Sequence, residues 1–318
     1  MRLRGERDLL SATTRLPAPA RSGAPLVLAA AVLWGTSGAS QAMLGGAVSP
    51  LFVGASRIII GGSLLAVMTL FIVGVDAIPR AAIRAARVPV LLAGVCIAAY
   101  QITFFSGVRM LGIAVGTILT MASAPFVASA ISFALGEGRP SRTWLATISL
   151  AVVGLVLLLQ PEDGVSVSLL GVLAALGAGL SFGSYAVLAK RLVARGIDYL
   201  ATVALSMTVA AVLLVPFLVL GVLRSEDPAA VLRPPGLLVL LWLAVAATAL
   251  GYLLFAAGLR MVTAVTGSTL TLAEPLTAAL LGVLVFAERL GPTARVGAAL
   301  VAAALLITSV RPDTRPAR

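Results

Sequence analysis

Long apolar runs, separated by gaps rich in Arg, Pro and Gly, fill almost the whole chain. At about 20 residues for each crossing of a bilayer's hydrocarbon core, they predict ten transmembrane helices. In the first half these cover about residues 25–44, 49–74, 88–108, 113–135 and 142–160. In the second they cover about residues 168–190, 200–222, 236–259, 263–287 and 292–310. The predicted fold is an all-α integral membrane protein. Backbone facing lipid must satisfy its own hydrogen bonds, and the runs are too long and continuous for the alternating strands of a barrel.

The runs also repeat. Phe104-Phe105-Ser106-Gly107-Val108-Arg109-Met110 returns as Phe255-Ala256-Ala257-Gly258-Leu259-Arg260-Met261, close to half the chain further on. At the same spacing Gly116-Thr117 meets Gly267-Ser268, Leu119-Thr120 meets Leu270-Thr271, and Glu137 meets Glu288. Trp34-Gly35-Thr36-Ser37 in helix 1 pairs by position with Phe182-Gly183-Ser184-Tyr185 in helix 6, so the first run belongs to the duplication and is not read as a cleaved signal peptide. The expected organisation is a tail over 1–24, a five-helix repeat over 25–160, a linker over 161–167, a second repeat over 168–310, and a tail over 311–318. Two related membrane halves are the pattern of carriers that rock about a shared central site.

Charge adds orientation. With the N-terminus inside, seventeen of the 23 Lys and Arg fall in inner segments, five in outer segments, and Arg57 lies within helix 2. That bias predicts ten spans with both termini cytoplasmic, in the cell's inner (plasma) membrane. Five spans per repeat is an odd number, so the two repeats are expected to be inverted relative to each other. The linker at Pro161–Val165 is then external. The net charge of +11 marks topology and not nucleic-acid binding, because the Arg residues sit in short gaps and not in a patch with aromatics.

Composition removes several kinds of chemistry. The chain has no His and a single Cys, Cys96, within an apolar run. Ser-His-Asp hydrolysis, His metal sites, a His proton relay and a disulfide framework are excluded. No P-loop is present, which argues against ATP-driven transport by this chain alone. No cofactor, metal or enzymatic activity is expected.

The sharpest candidate is Glu274, in Thr269-Leu270-Thr271-Leu272-Ala273-Glu274-Pro275 near the middle of helix 9. An unpaired carboxylate toward lipid costs several kcal/mol, so Glu274 is expected to face the bundle interior or a water-filled cavity. There it serves as a substrate contact or proton carrier, or as a buried structural carboxylate. Pro275 frees a carbonyl near Thr271 and predicts a kink beside it. Arg57 has two readings, as a polar partner for Glu274 or an anionic substrate group, or as a residue that snorkels to the outer headgroups; its nearness to the helix start favours the second. Trp34, Tyr100, Gln101, Thr120, Ser123, Tyr185, Tyr252 and Thr271 are polar or aromatic positions inside spans that are candidates for substrate binding or for helix packing. Pro125 and Pro275 are candidate hinges.

The second half, from Gly267 through Leu272, Glu274-Pro275, Ala278 to Gly282 and Glu288-Arg289, with Gly297 in helix 10, resembles the EamA repeat of the drug/metabolite transporter superfamily. The first half matches at fewer positions. Ser123-Ala124-Pro125 stands where the glutamate-proline pair falls, and Glu137 keeps the closing glutamate without the following arginine. The resemblance spans about residues 24–310. It implies ten helices in two inverted repeats around a cavity open to one side at a time. It also implies export or exchange of small metabolites such as amino acids, nucleobases or drug-like compounds, without choosing among them. The expectation is a secondary transporter, exporting a small organic metabolite or drug-like compound by alternating access, with proton coupling through Glu274 and uncoupled flux both open. The expected partners are a small-molecule substrate and the lipid bilayer. The alternatives are a carrier of phosphorylated or nucleotide-linked substrates, which would need several buried cations, and a non-transporting scaffold.

Overall fold

The computed structural model describes residues 23–44, 47–74, 80–160, 168–287 and 289–310, and every regular element among them is helical. In chain order they are α1 (Ala24–Ala42), α2 (Pro50–Ile72), α3 (Arg80–Leu111), α4 (Ile113–Ala134) and α5 (Arg142–Leu159), followed by α6 (Leu169–Ala194), α7 (Tyr199–Leu223), α8 (Gly236–Leu259), α9 (Ala264–Phe286) and α10 (Pro292–Val310). A short 3-10 turn, Pro228–Leu232, precedes α8. Among the described residues α2 to α10 are long and apolar enough to cross a membrane. The remaining helix, α1, has 19 residues, and its second half reads Gly35-Thr36-Ser37-Gly38-Ala39-Ser40-Gln41, which dilutes its apolar character. The predicted linker at Pro161–Val165, residues 1–22 of the first tail, the second tail and Glu288 lie outside the described residues, and Ala24 already belongs to α1.

Local chemistry explains where the helices begin. Pro50 and Pro292 open α2 and α10, where a missing N–H costs nothing. Ser141, Ser168 and Asp198 cap α5, α6 and α7 by accepting from Trp144 N, Gly171 N and Leu200 N respectively. The chain turns from α3 into α4 at Gly112, whose φ of +80° is accessible to glycine at little cost.

Two helices depart from regular α geometry in mid-span. The break in α9 falls at Thr271-Leu272, dividing it into Ala264–Leu270 and Ala273–Phe286. Pro275 has no N–H to offer the Thr271 carbonyl, which accepts the Glu274 N–H instead at 2.9 Å. In α8, residues Trp242–Leu250 wind as a π-helix. By contrast α4 carries Pro125 and α7 carries Pro216 without interruption.

The helices pair in a pattern that survives exchange of the two halves. α3 packs on α6 and α8 on α1; α4 packs on α6 and α9 on α1; α2 meets α7, and α5 meets α10. The close approaches match as well. A Cβ added to Gly35 would meet the Glu274 carbonyl oxygen and Thr277, while one added to Gly183 would meet the Ala124 carbonyl oxygen and Val127. Ala124-Pro125 therefore occupies in α4 the place of Glu274-Pro275 in α9. α5 and α10 cross where Gly154 and Gly297 each lie against the other's backbone. Small residues at such crossings let backbones approach closely where lipid provides no hydrophobic drive. The outward faces carry exposed apolar side chains, among them Leu70, Phe71, Leu91, Leu180, Val212, Leu284 and Leu306, as a lipid-facing surface requires.

Candidate functional site

The α9 break and the α1–α9 crossing at Gly35 border a cavity of about 650 Å³. Trp34 and Gly35 of α1, Arg57 of α2, Tyr100 and Phe104 of α3, Phe182 of α6, Tyr252 of α8, and Glu274 and Pro275 of α9 line its depth. From there the wall extends through Gln41, Ala42 and Val108 to Leu44, Val48, Ile113 and Leu159. Those last residues sit at helix ends, so the cavity reaches the end of the bundle where α1 passes into α2 and α3 into α4.

Its deep end is aromatic. The Trp34 ring lies 5.0 Å from Tyr252, 5.7 Å from Phe182 and 5.4 Å from Phe255, centroid to centroid. Tyr100 stacks on Phe104 at 5.5 Å with an interplanar angle of 6°. Such rings supply a large apolar contact with restricted rotamers, suited to a flat or hydrophobic solute. The cavity interrupts this apolar lining with two opposite charges. Glu274 follows the α9 break, in the first turn of the second segment, where the helix dipole favours a carboxylate. Arg57 is 8% exposed and turns to the cavity, not to the headgroups. Its Nη2 donates to Gln101 Oε1 at 3.3 Å. Arg57 and Glu274 interact electrostatically across the space but form no salt bridge. Among the described residues Trp34 Nε1, Ser37 Oγ, Arg57 Nε and Gln101 Nε2 are buried with no hydrogen-bond partner. Trp34, Ser37 and Arg57 line the cavity with other parts of their side chains, and the Trp34 Nε1 edge lies against Gly251 of α8.

The other residues singled out in the sequence stand behind the wall. Gln101 is 1% exposed and holds Arg57. Thr120 donates to the Ala175 carbonyl at 3.1 Å and ties α4 to α6. Ser123 donates to the Leu119 carbonyl of its own helix, and Thr271 to the Ser268 carbonyl. Tyr185 is buried against Tyr252, with ring centroids 5.7 Å apart. Pro125 is buried within an unbroken α4. The wall also includes Ser37, Gln41, Phe104, Phe182, Thr117 and Met121, none of them a sequence candidate for substrate binding. Ser37, Phe104, Thr117 and Phe182 did carry a signal, since all four lie in the segments that repeat.

Comparison with known proteins places this architecture. Residues 21–160 and 169–310 each match the model of the EamA-like transporter family. The chain is 40% identical over 288 residues to the uncharacterized transporter YwfM of Bacillus subtilis (strain 168), covering 90% of this chain and 93% of that protein. A solved crystal structure only 19% identical superposes with a TM-score of 0.74 over 91% of this chain and 96% of its own, which speaks to the fold alone. Two matches to one family unit, an all-helical membrane bundle and a near full-length relative agree: the chain belongs to the EamA-like transporter family and is a multi-pass membrane transporter.

Proposed function

We propose that the protein is a secondary transporter that exports a small organic metabolite or drug-like compound, by alternating access of two inverted five-helix repeats. The observation that carries this reading is the deep cavity, lined by Glu274 and Arg57 among aromatic rings, whose described lining runs to one end of the bundle. Exchangeable helix pairings and the matched approaches at Gly35 and Gly183 support the inverted repeat. The Lys and Arg distribution supports ten spans with both termini cytoplasmic, in the plasma membrane, and on that topology the cavity faces outward.

Arg57 and Glu274 suit a solute carrying an acceptor or negative group together with a donor or positive group, on a body that fits the rings. Among the described residues Arg57 is the one cation in the cavity wall, which favours this reading over a carrier of phosphorylated substrates. Glu274 is also the one acid within a span among those residues. Glu137 follows α4, Asp198 caps α7, and Glu226 and Asp227 lie before α8. A proton that drives transport through the bundle would therefore travel on Glu274. The test is a solute-efflux profile of cells overproducing the protein, compared with cells producing Glu274→Gln at equal membrane abundance. Solutes exported by the first and not the second identify the substrate class. No difference from empty cells in any solute overturns the exporter reading.

A further inference from the structure

At the end of the bundle away from the cavity mouth, a second pocket of about 280 Å³ lies between the ends of α4 and α6 and the start of α9. Its charged lining is Arg139, Lys190, Arg191 and Arg195 against one carboxylate, Glu137. Lys190 is committed, donating to the Leu259 carbonyl at 2.7 Å, and Glu137 acts electrostatically on it. Among the described residues the three guanidinium groups have no ion pair and no hydrogen-bonded partner. Ser132, 6% exposed, also lines the pocket, and its buried hydroxyl has no partner among the described residues.

Membrane topology explains why basic residues gather at one end of a bundle, and the final carbonyls of α4 and α6 welcome cations. Neither effect requires the side chains to converge on a concave site with a buried, unused hydroxyl. We infer that this pocket binds a phosphate group, presented by an anionic lipid headgroup or as a soluble phosphate. Guanidinium forks match phosphate oxygens in geometry and remain charged at any working pH. A hydroxyl supplies one further donor. The pocket also adjoins an apolar surface. The Arg139 guanidinium lies 6.0 Å from the centroid of the exposed Phe133 ring, and Leu135 is exposed beside it. A headgroup held there leaves its acyl chains against lipid-facing side chains, as in basic sites between membrane helices. The inference does not depend on what the central cavity carries.

The experiment measures the thermal midpoint of the full chain in nanodiscs of phosphatidylcholine alone, of phosphatidylcholine with phosphatidylglycerol, and of phosphatidylcholine with added inorganic phosphate. A ligand that binds the folded state raises the midpoint by mass action. The lipid source predicts a rise with phosphatidylglycerol, and the soluble source a rise with inorganic phosphate. Either rise is lost in Arg139→Gln/Arg195→Gln and kept in Arg224→Gln/Arg233→Gln, which removes equal charge before α8. Arg139 and Arg195 are exposed, so the fold tolerates their replacement. A complementary measurement is native mass spectrometry of the wild type and of Arg191→Gln, in which the lipid source predicts that retained phosphatidylglycerol falls in the variant and the soluble source that retained phosphate does. A rise of equal size in both double variants, or no rise with either ligand, overturns the proposal.

Discussion

Lys190 Nζ, near the end of α6, donates a 2.7 Å hydrogen bond to the carbonyl of Leu259, the last residue of α8. The matching junction in the first half lies between the ends of α1 and α3, and there Gln41, Ala42 and Val108 line the open cavity instead. One end of the bundle is thus tied and the other parted. A hydrogen bond from a charged donor contributes about 1.5–3 kcal/mol when buried, and less for a part-exposed group such as Lys190. The proposed alternating access would have to break this tie. Lys190→Met is expected to raise the labelling rate of a reporter cysteine at Ala264, in a Cys96→Ala background, by about tenfold, the equivalent of 1.4 kcal/mol. Unchanged labelling would show that the tie does not hold this end closed.

Glu274→Gln is expected to abolish transport while leaving the folded protein in the membrane. Gln keeps the size of the side chain and removes the charge beside Arg57. If the carboxylate carries the driving proton, flux of wild-type protein in liposomes responds to an imposed pH gradient, and flux of the variant does not. A gradient-driven flux that persists in Glu274→Gln places the proton on another route.

Gln101→Leu removes the one side-chain acceptor seen for Arg57 and leaves a buried guanidinium without it. A neutral group left so costs about 1–3 kcal/mol, and a charged one more. The expected outcome is a tenfold or greater rise in apparent KM for the transported solute with folded protein retained, since Arg57 is then free to move from the cavity wall. An unchanged KM would remove Arg57 from the binding site.

Gly35→Ala and Gly183→Ala place matching Cβ atoms in matching crossings, 2.6 Å from the Glu274 carbonyl oxygen and 2.5 Å from that of Ala124. Overpacking of this kind costs about 1–3 kcal/mol. Both variants are expected to melt several degrees below wild type in detergent. Gly35→Ala is also expected to lose more transport, because the backbone it displaces carries the carboxylate. Equal loss of transport in both would argue that the crossings act through stability alone.

Much of this was legible in the sequence because the bilayer is an unforgiving solvent. Helix type, the positions of most spans and the inward turn of Glu274 all follow from the cost of an unsatisfied polar group in lipid. The α9 break was legible because Pro275 deletes a known hydrogen bond. Arg57 was not. Its depth along α2 favours the headgroups, whereas Gln101 on the neighbouring helix and the charge of Glu274 go with its inward turn. The hydroxyls of Ser123 and Thr271 were equally opaque, because a hydroxyl that bonds to its own helix leaves the same trace in a sequence as one that faces a solute. The π-helix in α8 had no sequence signal that pattern reasoning recognises. The sequence assigns Arg139, Lys190, Arg191 and Arg195 to segments on one side of the membrane, but their convergence on a pocket depends on how α4, α6 and α9 meet.

The crossing at Gly35 meets Glu274, and its counterpart at Gly183 meets Ala124. A carrier whose halves trade places therefore passes between two shapes that are not mirror images. Whichever way the cavity opens, the carboxylate comes from α9 and never from a twin in α4. The affinities for a solute on the two membrane faces are free to differ. Around a closed cycle of loading, turning, release and empty return, however, the equilibrium constants must multiply to unity. A tighter inner face is then offset by a less favourable return of the empty carrier. The lone glutamate can tune the concentration at which each face works, but the direction of net movement belongs to the gradients on either side.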